Sequence, residues 1–157
     1  YRVGYPSGEV RAATTGENAD TWLAILILHY LATADGMPPR EEWIAFRELP
    51  GGMFYDAAFQ ADTRRTVGAR FGRDLDRFVA AGEELGGSPL EYGDASFRFR
   101  LFPRLDVAVV LSVADDEFPA QARILFDASA SHYLPVEDLA VIGEAVGRTL
   151  VNQARAG

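Results

Sequence analysis

Residues 107–132 read VAVVLSVADDEFPAQARILFDASASH, and their pattern decides the fold. Val107 to Val113 is rich in Val and Leu, the composition of a strand buried on most of both faces. Asp115, Asp116 and Glu117 follow at once, and Phe118-Pro119 closes the connection. A second apolar run, Arg123 to Phe126, ends in Asp127, with small residues and His132 beyond it. The stretch reads as strand, acidic loop, strand, in the manner of a β-hairpin.

Upstream, Ala95 to Phe102 alternates, with Phe97, Phe99 and Leu101 on one side and Ser96, Arg98 and Arg100 on the other. A period of two predicts a half-exposed strand, and Pro103-Arg104 turns it into the buried one. Downstream, a short helical turn is expected over 129–134. Pro135, Glu137 and Asp138 then suit the first turn of a final helix, where Leu139, Ile142, Val146 and Leu150 recur at helical spacing.

Near the amino terminus, Pro6-Ser7-Gly8 separates two short strand-like pieces. Trp22 to Ala34 predicts a helix with Asn18 or Asp20 as its cap and Gly36 beyond its end. That helix has almost no polar face, so it is expected to be central and buried. Glu42 to Leu49 reads as a short extended segment or irregular turn. Helical patterns follow at 53–60, 63–70 and 73–85, and Ser88 to Asp94 reads as loop. The expectation is an α+β fold, a small antiparallel sheet packed with about five helices, in a single globular domain over 1–157.

Hydrophobic residues make up 48% and charged residues 24% of the chain, a globular balance and not a disordered one. The net charge of -8 argues against nucleic-acid binding. The longest apolar run, Trp22 to Leu28, is far short of the roughly 20 residues of a membrane span, so no membrane partner is expected. No signal peptide is visible. The chain starts at Tyr1 and not Met, which leaves room for a preceding segment. All 15 basic residues are Arg, so lysine nucleophiles and Schiff bases are excluded. With no Cys, thiolate chemistry and Cys-based metal or cluster ligation within these residues are excluded too, which fits a cytoplasmic location.

The candidate site is bounded by Asp115, Asp116, Glu117, Asp127 and His132, with Arg104 as a further ligand-binding residue. Adjacent carboxylates repel and call for a cation, an Arg or a proton. Asp116, Glu117, Asp127 and His132 would suit a hard ion such as Mg²⁺ or Ca²⁺, although their spacing matches no established metal motif. A solvated, capped turn is the competing reading. Arg98, Arg100 and Arg104 form a basic stripe that would either clasp the acidic loop or bind an anionic ligand. His29, near the end of the apolar helix, reads as a structural residue. Ser129 or Ser131 with His132 matches a nucleophile triad in composition only, since no G-x-S-x-G elbow is present. No catalytic residue and no cofactor is assigned.

Five stretches taken together carry a resemblance: ILHYL at 27–31, WIAFRELPGG at 43–52, FPR at 102–104, DEFPA at 116–120 and ILFDASA at 124–130. As a set they resemble an uncharacterised prokaryotic domain family of unknown function, over most of the chain from about Trp22 onward. Some members of that family are linked to the iron–sulfur domain of corrinoid proteins. The resemblance therefore implies a non-catalytic binding or accessory domain with a corrinoid or iron–sulfur redox partner. Because this chain has no Cys, any cluster would lie on another segment or partner. Two alternatives stand beside it. One is a metal-dependent enzyme using the acidic loop with Asp127 and His132. The other is a protein–protein interaction domain, for instance a homodimer through a sheet edge.

Overall fold

The structure is a computed structural model and describes residues 1–156. Its centre is a five-stranded, wholly antiparallel sheet. The strands are β3 (Trp43–Ala45), β4 (Ser88–Leu90), β5 (Ala95–Phe102), β6 (Leu105–Ser112) and β7 (Gln121–Asp127), in the spatial order β3-β7-β6-β5-β4. A separate ribbon pairs β1 (Arg2–Val3) with β2 (Val10–Arg11). The quoted stretch is the hairpin β6–β7, paired from Val107 with Phe126 to Ser112 with Gln121. As its Val-rich composition predicts, β6 is buried along Leu105–Leu111.

Among the described residues there are four helices: α1 (Thr21–Thr33), α2 (Asp56–Thr63, continued by a π-helical turn at Arg64–Gly68 and by Ala69–Phe71), α3 (Leu75–Glu84) and α4 (Val136–Ala156). This corrects the expectation of about five helices on a small sheet. The patterns at 53–60 and 63–70 belong to one element, because the π-helical turn carries the chain on without a break. The sheet is larger than expected because two three-residue edge strands complete it. Three residues are too few to show a period, so β3 reads only as a short extended segment or irregular turn and β4 as loop.

One face of the sheet presents Phe97, Phe99, Val107, Val109, Leu111, Ile124 and Phe126, all buried. Helices α2, α3 and α4 pack on this side. Phe59 of α2 stacks on Phe46 at 4.4 Å between ring centres and lies 5.9 Å from Phe126. The opposite face carries Arg98, Ala108, Val110, Arg123 and Leu125. Ala108 and Val110 are buried there beneath neighbouring side chains and the 91–94 loop, whose Gly93 lies against Val110.

Helix α1 departs furthest from its sequence. It is expected at the centre and lies at the edge: only Leu26 and Tyr30 are buried, while Trp22, Ile25 and Leu31 are 50%, 44% and 58% exposed. The helix-bearing face is already filled by α2–α4, so α1 is left to pack along its margin. Asp20 precedes it but makes no side-chain capping bond. Tyr30 anchors it, stacked at 4.7 Å on Phe102 and 5.3 Å on Tyr133.

A shallow anchorage changes what a buried charge would do. Leu26→Asp is expected to release α1 and leave the sheet intact, because the cost cannot exceed that of local undocking. Amide exchange should show protection lost over 21–33 and kept in β6. Equal loss in both would return α1 to the cooperative core.

Candidate functional site

The proposed site residues separate into two groups. Asp115, Asp116 and Glu117 lie in the loop joining the far ends of β6 and β7, whereas Asp127 ends β7. Six strand steps of about 3.4 Å, roughly 20 Å, separate Gln121 from Asp127. Asp116 and Glu117 are therefore not brought to Asp127 and His132. Among the described residues, no group of three or more His, Asp or Glu side chains is arranged to hold a metal ion.

The acidic loop closes on itself. Asp115 Oδ1 accepts from the backbone N–H of Glu117 at 2.9 Å and of Phe118 at 2.6 Å. These bonds hold the Asp115 carboxyl below its usual range. Asp116 and Glu117 stay exposed.

Asp127 is a buried hub. Its carboxylate accepts from the N–H of Arg40 at 3.0 Å, of Glu41 at 2.7 Å and of Ser129 at 2.8 Å, and from the Ser129 hydroxyl at 2.6 Å. Burial pushes its pKa up, the hydrogen bonds together push it down, and the bonds win: the carboxyl sits below its ordinary value. The same bonds hold Glu41 at φ 57, a left-handed conformation that side chains seldom adopt.

Arg104 and His132 lie at this same end of the sheet. Arg104 donates to the Gly36 carbonyl, the Tyr133 hydroxyl donates to the Met37 carbonyl, and His132 Nδ1 meets Asp35 Oδ2 at 2.6 Å. On the helix itself, His29 Nδ1 meets Asp138 Oδ2 of α4 at 2.5 Å. Both histidines therefore clamp α1 and the segment after it to the carboxy-terminal half. The hydrogen bond with His132, helped by the Met37 N–H, lowers the Asp35 pKa.

The arginine stripe does not clasp the acidic loop. Arg100 forms a two-point pair with Asp106, at 2.9 and 3.0 Å, and the stripe runs away from the loop along β5. A double-mutant cycle between Arg104→Leu and Asp115→Asn should give a coupling energy of zero within about 0.5 kcal/mol. A larger coupling would place the two ends of the sheet in contact.

A concavity with an apolar wall lies between α1, β5 and α4, with a volume of about 870 Å³. Leu23, Leu26, Ile27 and Leu31 line it from α1, Phe99 to Pro103 from β5 and the turn after it, and Ile142 and Val146 from α4. It opens beside β5 because β4 pairs only with Ser96–Arg98, which leaves the outer edge of Phe99–Phe102 without a strand. A second depression of about 790 Å³ lies between Trp43 and Tyr92, where Arg123 and Leu125 of β7 meet Asp56 and Gln60 of α2. Its wall mixes Arg47 and Arg123 with Glu41, Glu42, Glu48 and Asp56. Glu48 is already committed to the Ala45 N–H at 2.6 Å and Asp56 to Gln60 at 3.2 Å. An apolar wall with few polar groups is the usual character of a ligand site, and the α1 groove has it.

The model of one protein family, described as a domain of unknown function (DUF3786), matches residues 1–149. The chain belongs to that family. No curated protein and no solved structure matches it. The groove's lining runs from Tyr1 to Thr149, so in this family member the whole groove falls inside the matched stretch.

Sequence reasoning singled out Arg98 and Arg100 but missed the groove they border. The signal was present in α1. A helix apolar on every side either is buried or leaves apolar surface exposed, and α1 does the second. Among the described residues, no helix is long and apolar enough to cross a membrane.

Proposed function

We propose that this chain is a non-catalytic binding or accessory domain that binds through the groove beside α1. The observation supporting this reading is an aliphatic helix left half-exposed along an open, apolar-walled groove. A contiguous exposed apolar surface is a place where a ligand or a partner gains from burial. Both histidines are occupied by aspartates and the carboxylates of the acidic loop stand apart from Asp127, which favours binding over catalysis. A corrinoid or iron–sulfur redox protein is the partner that the family resemblance implies, and the groove is the surface offered to it.

Native mass spectrometry and the visible absorption spectrum of the purified chain test this, followed by calorimetric titration with hydroxocobalamin and with a corrinoid iron–sulfur protein. Binding is expected in the wild type and lost in Ile27→Glu, which sets a carboxylate on the groove wall. Binding unchanged in a folded Ile27→Glu variant would move the site elsewhere. A bare homodimer with no bound group would favour a self-association domain.

A further inference from the structure

The chain has two histidines, and both tie α1 or the segment after it to the carboxy-terminal half. His29, one turn before the end of α1, meets Asp138 in the first turn of α4 at 2.5 Å. His132 meets Asp35, just beyond α1, at 2.6 Å. The partners are 109 and 97 residues apart in sequence, so each pair is a tertiary tie. Asp138 sits at the positive end of α4, where the helix dipole favours its charge. Little else in α1 is anchored: Leu26 and Tyr30 are its buried residues, and Trp22, Ile25 and Leu31 are exposed.

Histidine is the side chain whose charge changes between pH 5 and 8. An imidazolium holds a carboxylate more strongly than a neutral imidazole that only donates a hydrogen bond. The surroundings leave this change unmasked. No Asp, Glu or Arg lies elsewhere in α1 or in residues 128–135 around His132. The charged neighbours are Glu137, next to Asp138, and Arg104, which donates to the Gly36 carbonyl beside Asp35. Glutamate and arginine side chains ordinarily keep their charge across that range. Tyr30 is held above its ordinary value, chiefly by burial, and the Tyr133 hydroxyl donates to Met37. The Asp35 carboxyl lies below its ordinary value through its bond with His132, so it stays charged on the acid side.

We propose that the two His–Asp pairs form a pH-sensitive latch on α1, closed at mildly acidic pH and loosened as pH rises past neutrality. Each pair contributes fully while its imidazole is protonated, and the contribution falls as pH rises through the histidine range. Because α1 is one wall of the groove, loosening it widens the groove. The latch belongs to the free chain and holds whether or not the groove binds anything.

Amide exchange of the full chain at pH 5.5, 7.0 and 8.5, expressed as protection factors, tests this without a ligand. Protection over 24–33 should fall at least about three-fold between pH 5.5 and 8.5, the combined size of two partly exposed pairs, while β6 keeps its protection. The double variant His29→Gln, His132→Gln keeps a donor at each place and cannot be charged. Its α1 should be weakly protected at all three pH values, and each single variant should lose part of the dependence. The wild type supplies a measure that needs no variant: the change in exchange should follow the NMR titration of the two imidazoles. A flat wild-type profile overturns the latch, as does a pH dependence that survives in the double variant or that tracks neither imidazole. Equal loss of protection in α1 and β6 also overturns it, since the pairs would then stabilise the whole fold and not α1 alone.

Discussion

Replacing Asp127 by alanine is expected to remove at least about 3 kcal/mol of stability. A hydrogen bond to a charged group contributes about 1.5–3 kcal/mol, and this carboxylate accepts four. The loss would also take the acceptor from the backbone N–H of Arg40, Glu41 and Ser129, the last of them buried. Asp127→Asn should cost less. Its oxygen can keep the three bonds made by Oδ1, and only the Glu41 N–H then faces a donor. The pH dependence has a definite sign. The folded carboxyl is depressed, so its contribution is fully present above the unfolded value of about 3.9 and fades as pH falls through the lower folded value. Denaturant midpoints of wild type and Asp127→Asn should therefore converge below about pH 4. A constant gap down to pH 2 would show that the charge is not what holds the strap.

That strap explains why Asp127 looks like a site residue in sequence. An acid at a strand end, followed by small residues and a His, reads as a ligand set. In the structure it ties the segment carrying Arg40 and Glu41 to the last strand, next to the pairing of Trp43 with Asp127. The distinction lies in the backbone donors that converge on it. Those of Arg40 and Glu41 come from a segment 87 and 86 residues away, and no local pattern reports them.

The legible parts of the chain were those whose pattern is local and long. β5 follows its alternation from Ala95 to Phe102, up to the irregularity between Arg100 and Phe102 that leaves Leu101 exposed. β6 and β7 follow from apolar runs on either side of the acidic turn. The edge strands are too short to carry a pattern, and the join of two helical segments through a π-helical turn leaves none either. For α1 the pattern was strong and the inference incomplete, because hydropathy records how apolar a helix is and not what covers it. The groove depends on where α1 comes to rest and on how soon β4 stops, and both are tertiary facts.

The second large effect is expected at Gly52. A Cβ there would overlap the carbonyl oxygen of Phe46 and come 3.4 Å from the Cα of Arg47. Both are backbone, so no side-chain rotation relieves the contact. The chain can yield only by moving the turn after β3, and Phe46 cannot follow freely because it is fully buried and stacked on Phe59. Gly52→Ala should therefore cost about 3 kcal/mol or more, at the upper end for overpacked sites. The neighbouring glycine separates steric overlap from backbone conformation. Gly51 has φ 82, and a Cβ there would lie 3.3 Å from Val136, a side-chain atom with room to adjust. Gly51→Ala should cost only about 1–2 kcal/mol, the penalty of a left-handed residue with a side chain. Urea unfolding of the two variants decides it. A larger loss at Gly51 than at Gly52 would mean that the turn yields easily and that Phe46 is not its fixed point.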